Sequence, residues 1–181
     1  MKKKNFALII CVVTILIGSC THQKNPKDSQ VAENCVLQKE DGTISLKLDK
    51  ATCYNDKVNP SNNTAEWNIV ISKPGRFKVW LSSATKDTTN LSYASSVRIS
   101  LSDDSLVVIP ACDKIVQNSG DVPSKYYRAD SYMGSFSLSE PGEYNIQVIS
   151  EKVIARNAGV NTGSPTDNTM LMSVMLTPMI P

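Results

Sequence analysis

The side chains that do most enzymatic work are thinly supplied in this chain. Its 181 residues hold one histidine, His22. That residue lies in the polar stretch THQKNPKDSQVAE, residues 21–33, where almost nothing is available to bury, so it reads as a solvated linker residue. From Asn34 to Pro181 there is no histidine at all. A Ser-His-Asp or Cys-His arrangement therefore has no base there, and a histidine-ligated zinc site has no ligands. Neither a GxxxxGKS/T nor a GxGxxG run is present to cradle a nucleotide phosphate. Glycoside hydrolysis needs two carboxylates about 5–9.5 Å apart. Glu66, Asp130, Glu140 and Glu143 are available, but Glu140 and Glu143 flank a turn and no pair is singled out. No catalytic residue is assigned, and the expectation is a protein without enzymatic activity.

Binding is better served. Phe77, Val79 and Leu81 alternate with Arg76, Lys78, Trp80 and Ser82. If the first three face a core, Trp80 stands on the outside of a sheet, where an indole can stack on the apolar face of a sugar ring. Arg76, Lys78 and Arg98 then offer donors to hydroxyls or to an anionic group, with the outward Asn145 and Gln147 as further polar contacts. A covering loop over Trp80 is the competing reading. A second candidate is the segment from Lys125 to Tyr132, read as a loop, which carries Tyr126, Tyr127, Arg128 and Tyr132. Either these residues meet a ligand, or two of the three tyrosines pack back onto the sheet. Trp67 shares its face with Ile69 and Ile71 and reads as core.

The elements that position these side chains are strands. Alternation of apolar and polar residues recurs at Thr43–Leu48, Trp67–Ile71, Phe77–Leu81 and Val97–Leu101, then at Phe136–Leu138 and Tyr144–Val148. Leu106–Ile109 and Met170–Leu176 are apolar runs. No long stretch has helical periodicity. Eight or so short strands separated by turn signals predict an all-β antiparallel sandwich. One internal echo stands out: Ser72–Leu81 and Ser139–Val148 both read S-x-P-G-x-aromatic-x-aliphatic-x-aliphatic. Pro followed by Gly is the signature of a type II turn, so each copy is expected to close a hairpin. At 41% hydrophobic and 20% charged residues, with formal net charge +2, the chain is neither disordered nor strongly basic. Nucleic acid is not an expected partner.

The N-terminus resembles a bacterial lipoprotein signal. Lys2, Lys3 and Lys4 precede an apolar stretch from Phe6 to Ile17, too short for a comfortable transmembrane helix, which ends in Ile17-Gly18-Ser19-Cys20. The resemblance implies cleavage before Cys20, lipidation of its thiol, and a membrane anchor that does not span. Thr21, where an aspartate would retain the protein at the inner membrane, favours the outer membrane of a Gram-negative cell envelope. Residues 1–19 are then signal peptide, 20–33 a lipidated tether and 34–181 the folded domain. Removing the signal leaves 16 basic against 17 acidic side chains, so the basicity belongs to the export signal.

From Gly42 to Pro178 the order of the segments resembles the galactose-binding-like β-sandwich. This is the jelly-roll of many carbohydrate-binding modules and accessory domains of secreted glycosidases. The resemblance implies a non-catalytic carbohydrate-binding lipoprotein with no cofactor. A structural Ca²⁺ is compatible with the fold, yet Glu40-Asp41, Asp103-Asp104 and Asp167 lack calcium-loop spacing. The alternative is a structural or adhesive surface lipoprotein that binds another envelope protein; a small glycan hydrolase is a third reading. Three cysteines remain, Cys35, Cys53 and Cys112. They allow a disulfide, with Cys35–Cys53 the shortest loop, or three buried thiols.

Overall fold

The computed structural model describes residues 35–154 and 168–179. These all belong to the compact unit Ala32–Pro181. The expected signal peptide (1–19) and tether (20–33), with Cys20 and His22, lie outside the described residues, as does Asp167. Among the described residues there are eleven strands: β1 (Cys35–Leu37), β2 (Ile44–Lys47), β3 (Thr52–Tyr54), β4 (Thr64–Ile71), β5 (Gly75–Thr85), β6 (Val97–Leu101), β7 (Asp104–Val108), β8 (Lys114–Val116), β9 (Tyr127–Leu138), β10 (Gly142–Ile149) and β11 (Thr169–Pro178). They form two sheets. One, sheet A, runs β1-β4-β10-β6-β7, with β3 also on β4; the other, sheet B, runs β2-β11-β5-β9-β8. The protein is an all-β sandwich whose ladders are antiparallel except β1 on β4.

The pairings nest. β6 pairs with β7, β5 with β9, β4 with β10 and β2 with β11. One long antiparallel ribbon, its tip at the β6–β7 turn, has been rolled up so that successive stretches fall into alternate sheets. This is the jelly-roll. It changes the meaning of the two Pro-Gly repeats, because neither closes a hairpin. Each carries the chain from one sheet to the other, β4 to β5 in the first copy and β9 to β10 in the second. The two legs of the ribbon bend side by side: Gly75 pairs with Leu138 and Gly142 pairs with Ile71. The glycines have φ of +155° and +159°, far from the value of about +80° that a type II turn requires. They are the first residues of their strands.

The core lies between the sheets. Ile44, Leu46, Trp67, Ile69, Phe77, Val79, Leu81, Ile99, Ile146, Val148, Val174 and Leu176 are all buried there. Each comes from the apolar phase of its strand, so alternation in the sequence decides which face is dry. Trp67 is 2% exposed and its indole N–H donates to the Lys47 carbonyl at 3.0 Å, tying sheet A to sheet B. The buried ring thus has its polar atom satisfied.

Two local expectations change. The tyrosine-rich segment is not a loop: from Tyr127 onward it is part of the twelve-residue strand β9. A bulge in the β5–β9 ladder, where Val79 faces Gly134 but Trp80 faces Tyr132, lets this long strand follow the roll of the sheet. Gly134 at the bulge has φ +127°. The cysteines also fall out differently. Cys35 and Cys53 flank the same edge of β4, opposite Asn68 and Ala65. Three residues of strand are about 10 Å, beyond the reach of a disulfide, so the Cys35–Cys53 bridge is not formed. Burial pushes up the thiols of Cys35 and Cys112, away from the nucleophilic thiolate.

Candidate functional site

The outer face of sheet B collects most of the candidate side chains. On β5 the inward Phe77, Val79 and Leu81 are buried, while Arg76 and Lys78 are exposed and Trp80 is half-buried on the opposite face. Across the ladders Trp80 stands between Met175 of β11 and Tyr132 of β9. The Trp80 and Tyr132 rings are 5.3 Å apart at centroids and inclined at 55°. Tyr132 is 42% exposed, and its backbone N–H donates to Asp113 Oδ2 at 2.7 Å. An aromatic pair with open edges therefore lies across the middle of the sheet.

Beside it runs a groove of about 290 Å³. Its floor is the next rows of the same face: Met172, Ser173 and Met175 of β11 and Ser82 of β5. Lys47 and Asp49 form one wall; Arg128 and Asp121, from β9 and the loop before it, form the other. Trp80 adjoins the groove through Met175, its cross-strand neighbour, and Ser82, two residues along β5.

Arg128 is held in place by two carboxylates. Its Nη1 donates to Asp121 Oδ2 at 2.9 Å and its Nη2 to Asp130 Oδ2 at 3.2 Å. Nε lies 3.2 Å from Asp130 Oδ1, close enough for charge attraction but not aligned for a hydrogen bond. Asp130 is only 3% exposed, and it also accepts from the Ser82 hydroxyl at 2.7 Å. The guanidinium thus directs its charge into pinning the loop through Asp121 and answering the buried Asp130, and its two carboxylate partners outnumber it.

The remaining candidates are placed elsewhere. Arg98 lies on β6 in sheet A, exposed on the far side of the sandwich from Trp80. Tyr127 has the strand phase of Ala129 and Ser131 rather than that of Arg128 and Tyr132. Tyr126 precedes the strand, and the Lys86 ammonium sits over its ring at 5.0 Å. Asn145 and Gln147 are on the outer face of sheet A, where both donate to Glu66, at 2.7 and 3.2 Å. Glu66 and Asp130 therefore belong to opposite sheets. Glu140 and Glu143 flank the Pro141-Gly142 corner. Among the described residues no group of three His, Cys, Asp or Glu side chains is arranged to hold a metal ion. Trp80, Tyr132, Arg128, Arg76 and Lys78 are the sequence candidates that share one face. Lys47, Met172, Met175 and Asp121 join them only through the fold, since β2 and β11 lie more than a hundred residues apart in sequence and meet edge to edge.

No protein-family model matches the sequence, and no curated protein matches it either. Solved structures do. The α-L-fucosidase from Vibrio sp. strain EJY3 has a TM-score of 0.63 at 21% identity, over 82% of this chain and 24% of that one. The GH26-CBM35 β-(1,4)-mannanase of Podospora anserina has a TM-score of 0.45 at 13% identity, over 78% of this chain and 28% of that one. The insecticidal crystal protein Cry2Aa has 0.44 at 16%, over 78% and 22%. The chain thus spans about a quarter of the length of the structures it resembles. At these identities the likeness, carried by the fucosidase, is one of fold: a β-sandwich of the kind found as one part of larger proteins.

Proposed function

We propose that the protein is a non-catalytic carbohydrate-binding lipoprotein, tethered through Cys20 to the outer membrane of a Gram-negative cell envelope, that binds glycan on the outer face of sheet B. The observation that carries this reading is the Trp80–Tyr132 pair beside a polar groove. A sugar ring has an apolar face and a rim of hydroxyls. The indole and phenol supply the complementary surface, and Ser82, Ser173, Lys47 and Asp49 supply donors and acceptors at its border. The fold likeness to a part of the Vibrio α-L-fucosidase, itself a sugar-active protein, supports the same reading. Fold alone does not give function, so the weight rests on the site.

The test is a glycan-array screen of the full chain. Binding to a defined set of glycans is expected, with loss in Trp80→Ala and weakening in Tyr132→Ala at unchanged melting temperature. Binding that ignores both substitutions moves the site off this face, and a blank array sinks the glycan reading. Lipidation is tested by fatty-acid labelling in cells: incorporation that survives Cys20→Ala rules out the anchor.

A further inference from the structure

The charge on this face is unevenly spent, and that asymmetry names a class of glycan. The inference rests on the reading of sheet B as a glycan-binding surface and deepens it. β5 sets Arg76, Lys78, Trp80 and Ser82 in line on the outer face, at steps of about 7 Å. On the Ser82 side of Trp80 the cations are Lys47 and Arg128, set among the carboxylates of Asp49, Asp121 and Asp130, the last two bridged to Arg128. On the other side the cations are Lys78 and Arg76, both exposed. The cross-strand neighbours of Lys78 are Thr177 and Ser135, and that of Arg76 is Ser137, none of them charged. Among the described residues no carboxylate lies within 4.0 Å of either cation. Asp104 lines the same 250 Å³ hollow as Arg76 without pairing with it. One flank of the aromatic pair therefore sets two cations among three carboxylates, and the other carries two cations without counterions from the protein.

We propose that the ligand is an acidic oligosaccharide. One ring stacks on Trp80, its hydroxyls reach toward Ser82, and a carboxylate or sulfate on the same or the next sugar lies against Lys78 and then Arg76. Fixed cations beside a stacking platform set the direction in which the chain of sugars lies, and opposite charge on the ligand gives specificity and speeds encounter.

The full chain in detergent is titrated calorimetrically with polygalacturonate, dextran sulfate, carboxyl-reduced polygalacturonate and dextran. The expected result is binding to at least one acidic polymer, lost or weakened at least tenfold in its neutral counterpart. Lys78→Gln weakens it about tenfold and Arg76→Gln/Lys78→Gln further; rising salt weakens it as well. The two acidic polymers separate carboxylate from sulfate. Both positions are exposed, so unchanged melting temperatures show that the variants are folded. A preference for the neutral polymers, or affinity indifferent to both charge substitutions, overturns the acidic ligand while glycan binding that fails in Trp80→Ala still stands. No binding to any of the four, together with a blank array, overturns both.

Discussion

The Gln38 side-chain oxygen accepts hydrogen bonds from the backbone N–H groups of Ser72, at 3.0 Å, and Lys73, at 2.7 Å. Its amide nitrogen meanwhile donates to the carbonyls of Gly42 and Lys73, at 2.9 and 3.1 Å. One glutamine beyond the end of β1 thus stands in for a strand neighbour where the chain leaves sheet A for sheet B. Gln38→Ala is expected to destabilise the fold by about 1–3 kcal/mol, the cost of leaving these backbone groups without their partners. Gln38→Glu keeps the acceptor and loses the donor, so it is expected to fall between. Urea unfolding followed by circular dichroism checks the order.

Gly134 and Gly120 separate backbone strain from mere absence of a side chain. A Cβ on Gly134 comes 2.9 Å from Leu106 Cδ2, and its φ is +127°, which L-residues rarely adopt. Gly134→Ala is expected to cost on the order of 1–3 kcal/mol. Nothing lies within 4 Å of a Cβ built on Gly120. Gly120→Ala is expected to be neutral or stabilising by up to about 1 kcal/mol. Thermal melts of the two variants decide; equal effects contradict the assignment.

Removing Arg128 leaves Asp130 buried with only Ser82 to answer it. Arg128→Ala is expected to cost roughly 3 kcal/mol and to release the loop carrying Asp121. Asp121→Ala, at the exposed end of the same bridge, is expected to cost less than about 1 kcal/mol. Chemical denaturation of both variants tests the ranking.

Acid is expected to weaken the fold through three aspartates. Asp87 is held below the usual carboxylate range by the Thr89 hydroxyl at 2.7 Å and by the N–H groups of Thr89 and Asn90. Asp56 is lowered by the N–H groups of Asn59 and Val58, each at 2.9 Å, and by Asn62. Asp41 is lowered chiefly by the N–H of Thr43 at 2.9 Å. A depressed native value means that the unfolded chain takes up protons first. Their contribution is fully present above the unfolded value of about 3.9 and is lost as pH falls through the native values. Melting temperature should hold down to about pH 5 and then drop. Asp56→Asn with Asp87→Asn should shallow that drop; an unchanged slope contradicts the prediction.

What is legible in the sequence divides along physical lines. Faces were legible because period-two alternation is local: Phe77, Val79 and Leu81 went in, and Trp80 went out. Partners were not, because pairing is a long-range property. The Pro-Gly motifs at 74–75 and 141–142 say that the chain turns, and nothing within ten residues says whether it returns to the same sheet or crosses. Arg98 shows the same limit, since its outward phase was visible but not the sheet that carries it. Tyr132 belongs beside Trp80 only because a one-residue bulge shifts the register between Val79 and Trp80, a displacement with no clear trace in composition.

The rolled ribbon also grades the cost of closing its ladders. Along the ribbon β6–β7 joins neighbours in sequence across a tight turn, and loop closure grows costlier outward through β5–β9, β4–β10 and β2–β11. β11, the final strand, inserts between β2 and β5, so sheet B stays split until that strand arrives. The groove is cut into this seam, with Met172, Ser173 and Met175 as its floor. The groove therefore needs the C-terminal strand: a chain cut before Thr169 would lack its floor and leave β2 and β5 without their shared partner.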